Sequence, residues 1–346
     1  DLEGGEINVL YNRCPHRGAM LFGNQSGNVG THFSCSYHGW QFKADGKAFR
    51  IPLVTGYEGT RMPPGSADCD VKHAPRVDSY RGFVFASLTA EGPSLVDYLG
   101  RARIAFDDMC DRAPDGKVEI VPNCFRVIQR SNWKIFLENQ LDALHPSVTH
   151  ESSGRAAADV EQRLKADGGA PVSYHYLSAF ATVPLVEWDK TQTVNFPNGH
   201  SLLQGYMGLR PRDPDTLAYE AALTRAYGAK RMEEILSVNI HHVLLYPGLS
   251  VQPPLQQLRA VRPLAPDRTL TEIWHFRLKG APEAIYRRAL AYYNLVNSPS
   301  TMINADDLEN FWRCHQGLES TEIGRAHAEL QSRLHLVCRL LLEKKK

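Results

Sequence analysis

No run among the 346 residues approaches the eighteen or more consecutive apolar residues of a membrane span, and no basic-then-apolar segment reads as a signal peptide. A basic stripe is missing too. With a formal net charge of +1 at pH 7, the composition gives no support to nucleic-acid binding. The seven cysteines are odd in number and irregularly spread, which excludes the disulfide framework of a secreted domain and predicts a reducing, cytoplasmic setting. Methionine is absent from position 1: the chain opens on Asp1 and runs into the strand-like Glu6–Tyr11, so the natural start is expected further upstream. Apolar material is present in quantity. At 43% hydrophobic content this length fills one large core or two ordinary ones, and two domains are expected.

The densest chemistry lies between Ser131 and His150. Trp133, Phe136, Leu137, Leu141 and Leu144 recur at helical spacing, which predicts one amphipathic helix with Asp142 and His145 three apart on one side. Pro146 is expected to end that helix and to swing His150 back as a second imidazole. Two histidines and a carboxylate suit ferrous iron or zinc. Taken alone, such a pair near a helix end reads equally well as capping or surface chemistry.

Upstream stands a second set. Cys14-Pro-His16-Arg-Gly18 and Cys35-Ser-Tyr-His38-Gly39-Trp40 form Cys-x-His and Cys-x-x-His, with eighteen residues between His16 and Cys35. Two thiolates on one iron and two imidazoles on the other complete a [2Fe-2S] cluster, whose neutral histidines raise its potential to about −150 to +300 mV. Structural zinc is the competing reading of the same four ligands. The glycine-closed turns at Gly18 and Gly39, where backbone amides can point at sulfur, favour the cluster. Short strand-like runs at Phe42-Lys43, Ala48–Ile51 and Gly82–Ala86, with a turn at Asp45-Gly46, predict a small antiparallel domain around it.

The two sets together resemble a known family. The Cys14 and Cys35 segments resemble the Rieske domain of the aromatic ring-hydroxylating oxygenases; Asn132-Trp-Lys with Glu138-Asn-x-x-Asp142-x-x-His145-x-x-x-x-His150 resembles their mononuclear-iron motif. The likeness runs from Asp1 to about Leu318. It implies an α+β fold: a small antiparallel Rieske domain at 1–92, then a helix-grip (START-like) catalytic domain with a curved antiparallel sheet at 93–321. By the same resemblance Met302–Trp312 supplies the third iron ligand, Asp307, with Asp306 as the neighbour that invites confusion; without the upstream pair this acidic run reads as a solvated helix start. The stretch from Asn139 to Asp142 is one residue shorter than in the naphthalene-type enzymes, which places the chain nearer the branch acting on carboxylated or substituted rings. The Rieske loop is slightly long.

What the resemblance implies for function follows from those residues. Electrons from NAD(P)H enter through a separate reductase, or a reductase and ferredoxin, at a cluster held by Cys14, His16, Cys35 and His38. They pass to ferrous iron held by His145, His150 and Asp307, where O2 hydroxylates an aromatic ring. Asp142, with Asn139 beside it in the catalytic set, bridges His145 to a Rieske histidine, His38, of a neighbouring subunit. That implies a homotrimer, or an α3β3 assembly with a small subunit. Two alternatives belong to other classes: a Rieske electron carrier without oxygenase activity, and a zinc-stabilised ligand-binding helix-grip module.

The remaining chain is less informative. Residues 93–122 read as an acidic linker, and 152–170 as a helix and mobile loop beside the iron. Strands are expected at 202–209, 242–251 and 270–278, the last two separated by proline-marked turns, with His241 and His242 facing opposite sides of a sheet. A helix is expected over 282–296, with Ile285, Ala289, Tyr292 and Tyr293 in its apolar stripe. Finally, 322–346 reads as a translated sequencing-library adapter with its terminal A run, a non-native tail whose removal takes the net charge from +1 to −2. An ordinary basic-ended, leucine-rich helix is the alternative.

Overall fold

The structure is a computed structural model that describes residues 5–24, 26–166, 172–205, 210–298 and 301–319. The expectations for the 167–170 loop, the 206–209 strand end and the 322–346 tail lie outside the described residues. Two compact units divide the chain, residues 1–97 and 98–346.

In the first unit, strands β1 (His32–Ser34), β2 (Gln41–Lys43) and β3 (Ala48–Arg50) form an antiparallel sheet, and β4 (Arg76–Tyr80) pairs with β5 (Phe83–Ser87) as a hairpin. Cross-strand Phe33 and Phe42 sit opposite one another and, with Trp40, Cys69 and Val71, bury a core that also contains Cys14 and Cys35. The turn between β2 and β3 needs a glycine. Gly46 has φ +85° and donates to the Lys43 carbonyl at 2.9 Å, while a methyl group there would meet Val71 O at 3.1 Å.

The second unit is built on a seven-stranded antiparallel sheet. Its strands are β6 (Val118–Gln129), β7 (Gln192–Asn195), β8 (Ser201–Gly205), β9 (Ile240–Leu245), β10 (Leu249–Gln252), β11 (Gln257–Ala265) and β12 (Arg268–Leu278), in the order β6-β12-β11-β10-β9-β8-β7. The run expected as one strand at 242–251 is two, because the chain reverses at 246–248 and pairs β9 with β10. β6 falls partly in the expected linker. Pro122 conceals it, since a proline removes a ladder donor; here it sits on an edge strand, inside the irregularity between the Trp274–Cys124 and Phe276–Ile120 pairs.

Nor is the rest of 93–122 a linker. Helix Ile104–Asp111 turns Ala105, Phe106, Met109 and Cys110 fully inward, and its Asp108 forms an ion pair with Arg112 at 3.0 Å and contacts buried His241 at 2.5 Å. Phe106→Ala is therefore expected to lower unfolding stability by about 3–5 kcal/mol in chemical denaturation, the cost of emptying a buried aromatic site. A midpoint unchanged from the parent would restore the linker reading.

Against the sheet lies helix Trp133–Asn139, burying Phe136 and Leu137, followed by Leu141, on Leu203, Leu244 and Val261, with Phe311 of helix Met302–Leu318 beside them. Asn132 caps it, accepting the Lys134 amide at 3.1 Å. The single helix expected through His145 is instead two. The first ends at Asn139, and His145–Thr149 forms a second with Pro146 in its first turn, where the missing N–H costs no helical bond. Pro146 thus opens a helix and does not close one.

Candidate metal centres

Cys14 and Cys35 occupy matching turns. In each, the cysteine carbonyl accepts a glycine amide four residues on (Gly18, 2.9 Å; Gly39, 3.1 Å), and the cysteine amide donates to a carbonyl five residues on (Ala19 and Trp40, both 2.8 Å). Both glycines have positive φ, +74° and +69°. The His16 and His38 rings lie 4.5 Å apart between centroids, and His16 stacks on Trp40 at 5.1 Å with planes 2° apart. Burial pushes the Cys14 thiol up and Cys35 adds to that, against the backbone amides of His16 and Arg17. A bound iron would supply the charge that favours the thiolate there. Burial, then His38 and Arg17, holds His16 below the usual histidine range, as a neutral imidazole ligand requires.

A cluster fits these residues better than zinc. His16 Nδ1 is buried without a hydrogen-bond partner. One tetrahedral zinc would draw all four ligand atoms around a single point. Among the described residues, the convergent group of three or more potential ligands is instead His145, His150 and Asp307, whose ligand atoms lie within 4.8 Å of one another.

In that triad Asp307 Oδ1 stands 3.3 Å from His150 Nε2 and 3.8 Å from His145 Nε2. The opposite ring nitrogens face two other carboxylates: His145 Nδ1 is 3.4 Å from Asp142 Oδ2, and His150 Nδ1 is 3.5 Å from Asp306 Oδ2. Both Nδ1 atoms are buried, and neither completes a hydrogen bond at these distances. Two imidazoles and one carboxylate on one side are a donor set suited to ferrous iron. Asp142 lies in the turn between the two helices, where its Oδ1 accepts the Leu144 amide at 2.7 Å and that of His145 at 3.4 Å. Burial pushes its carboxyl up, but His145 and those two amides outweigh it and hold the group below its ordinary value. Asn139 Nδ2 reaches His145 Nε2 at 3.0 Å and Asp307 Oδ1 at 3.3 Å, so it borders the triad itself.

The triad opens on a cavity of about 290 Å3 with apolar walls that include Phe180, Trp188, Leu203 and Ile240. Helix Glu151–Ala166 leads away from His150 and packs on helix Val172–Thr182 at Gly154, where a methyl group would meet the Ala181 nitrogen at 2.7 Å and the Phe180 carbonyl carbon at 3.1 Å. His241 and His242 do face opposite ways. His242 Nδ1 donates to the Gln140 carbonyl at 3.1 Å on the cavity side, and burial pushes its pKa down to about 3, leaving a neutral ring.

The sequence expectations missed a buried polar network in the same wall. Arg259 of β11 donates to Gln140, Gln252 and Gln257, and Gln140 Nε2 donates to Asn139 Oδ1 at 3.1 Å. Its only local signal is the alternation of Gln257, Arg259 and Val261 on the buried face of β11, which places a charge where apolar side chains belong.

This pairing of a Cys/His cluster fold with a two-histidine, one-carboxylate triad on an α+β catalytic unit defines a class, the Rieske-type non-haem iron proteins. The profile of the ring-hydroxylating alpha subunit (catalytic domain) family matches residues 110–335, that of the Rieske [2Fe-2S] domain matches 2–63, and the chain belongs to the ring-hydroxylating alpha-subunit family. It is similar to toluate 1,2-dioxygenase subunit alpha of Pseudomonas putida, 33% identical over 90% of this chain and 66% of that protein. It is also similar to the 2-halobenzoate 1,2-dioxygenase large subunit of Burkholderia cepacia, at 27% over 91% and 65%. A solved structure of naphthalene 1,2-dioxygenase with indole in its active site superposes with a TM-score of 0.70 at 25% identity, over 92% of this chain and 69% of that one. The chain therefore spans about two thirds of the length of these curated relatives.

Proposed function

We propose that the chain is the oxygenase component of a ring-hydroxylating system, inserting one or two oxygen atoms into an aromatic ring. One observation carries this reading: two imidazole Nε2 atoms and one carboxylate converge in the wall of an apolar cavity, in a chain that also bears a Rieske domain. Cys14, His16, Cys35 and His38 would hold the cluster, and His145, His150 and Asp307 the iron. When bound, the cluster supplies electrons and the ferrous ion supplies oxygen activation. The chain's own residues do the rest. Asp142 and Asp306 face the His145 and His150 rings from behind and would orient them, Asn139 steadies Asp307 through its amide, and Phe180 and Trp188 give the cavity beside them apolar walls.

The relatives named for toluate and 2-halobenzoate are named for aromatic acids, which favours a carboxylated ring here. A separate reductase, with or without a ferredoxin, is the proposed donor. The Asp142 side chain is 45% exposed, so its outer edge can accept from His38 of the partner subunit in a trimer, with or without a small subunit. A cytoplasmic location is proposed with it, and no described helix is long and apolar enough to cross a membrane.

Metal and sulfide analysis with a visible spectrum tests the reading. The expected result is about three irons and two acid-labile sulfides per chain. An electron carrier would hold only the cluster's two irons, and a zinc-stabilised module neither iron nor sulfide.

A further inference from the structure

Arg259 is a buried cation with no carboxylate in ion-pair contact among the described residues; the carboxylate whose field reaches it is that of Asp307 in the triad. Arg259 is 6% exposed, and it lines the cavity beside the triad. Every partner of its guanidinium is a neutral amide: Nη1 donates to Gln140 Oε1 at 3.0 Å, Nη2 to Gln252 Oε1 at 3.0 Å and Gln257 Oε1 at 3.1 Å, and Nε to Gln257 Oε1 at 3.3 Å. Four of five N–H groups are thereby used, and one on Nη1 is left.

The amides are themselves held. Gln252 Nε2 donates to Gln140 Oε1 at 2.7 Å, Gln257 Nε2 to Asn297 Oδ1 at 3.5 Å, and Gln140 Nε2 to Asn139 Oδ1 at 3.1 Å. A guanidinium fixed this firmly is pre-organised. It also lacks a contacting counter-ion, because carbonyl dipoles solvate a buried charge without cancelling it and Asp307 acts only at longer range. Burial pulls its pKa down to about 10, with Tyr293, Asp307 and Tyr292 opposing, so the group stays charged at neutral pH.

A fixed cation in an apolar pocket, three hydrogen bonds in sequence from a metal-facing imidazole, calls for a flat apolar ligand with an anionic end. We propose that Arg259 is the specificity-determining residue of the cavity and binds the carboxylate of a single-ring aromatic acid, Gln140 and Gln252 setting its direction. This rests on the ring-hydroxylating reading above and adds to it the residue that selects the substrate. At about 290 Å3 the cavity is at the small end of ligand pockets and has room for an aromatic acid of one ring.

The test is calorimetric titration of the full chain, as purified, with benzoate and with its neutral analogue benzamide at pH 7. The parent is expected to bind benzoate about 30-fold or more tightly than benzamide, and Arg259→Gln to lose that margin while binding benzamide within about threefold of the parent. Arg259→Lys should fall between, keeping charge but losing the several amide contacts that hold it in place. A parent that binds both probes alike, or neither, overturns the assignment without any variant having to fold. So does an Arg259→Gln protein of parental circular dichroism that still prefers benzoate. Should the metals load while the preference is missing, the assignment to Arg259 fails and the oxygenase reading stands. A preference lost with Arg259 in a protein that takes up no iron does the opposite, upholding the anion site and removing the oxygenase reading.

Discussion

Asp307→Ala is expected to lose its mononuclear iron while keeping the cluster spectrum, whereas Asp306→Ala retains most of that iron. The two residues are adjacent on helix Met302–Leu318 but meet His150 from opposite sides: Asp307 Oδ1 lies 3.3 Å from Nε2 and Asp306 Oδ2 lies 3.5 Å from Nδ1. Only Asp307 also approaches His145, at 3.8 Å. Removing it leaves two neutral imidazoles and no anionic ligand. Removing Asp306 takes away only an orienting carboxylate, for which a loss of about tenfold in metal affinity is expected. Iron and sulfide analysis on both purified variants decides the point. Loss confined to Asp306→Ala would overturn the ligand set, and equal loss would mean that both carboxylates serve the metal.

Cys35→Ser is expected to abolish the cluster absorption and its electron resonance signal, and with them oxygenation, while the iron site still fills. The ligand pairs lie in separate compact units, so the triad does not depend on the cysteines for its fold. His150→Ala should be equally inactive with an intact cluster. Combining the two in one assembly, in a full-length context, tests the proposed route through Asp142. In trimers mixed at random in equal amounts, about one interface in four pairs a good cluster with a good iron site, so activity should return to roughly a quarter of the parental level. Asp142→Asn, by contrast, should keep both metals and still turn over poorly, because an amide cannot accept from two imidazoles as a carboxylate does. Mixed assemblies of verified composition that stay inactive would place electron transfer within one chain.

The proposed ligand sets stand out in the sequence because ligation demands particular residue types at short spacing, and Cys14 to His16, Cys35 to His38 and His145 to His150 each span at most five positions. Asp307 came only through resemblance. Nothing local distinguishes it from Asp306; a helix register against His150 does. Packing hid the rest. Pro122 disguised β6, whose bulge and edge position tolerate it, and the acidic surface of 93–116 outweighed four buried side chains on one short helix. Arg259 looked like one of many surface arginines, since its burial is produced by the pairing of β11 with β10 and β12.

Gly154 bears on any effort to widen the range of rings admitted. The helix that follows His150 meets its neighbour there backbone to backbone, and Ala179 and Phe180 of that neighbour form part of the cavity lining. The breadth of the slot on this side is thus set by main-chain contact. Trimming the lining side chains changes what fills the slot and leaves its width alone. A single added methyl at Gly154 would force the two helices apart, and because the Gly154 amide donates to the His150 carbonyl at 2.9 Å, the strain falls next to a triad residue, so the width of the slot and the geometry of the triad share one contact.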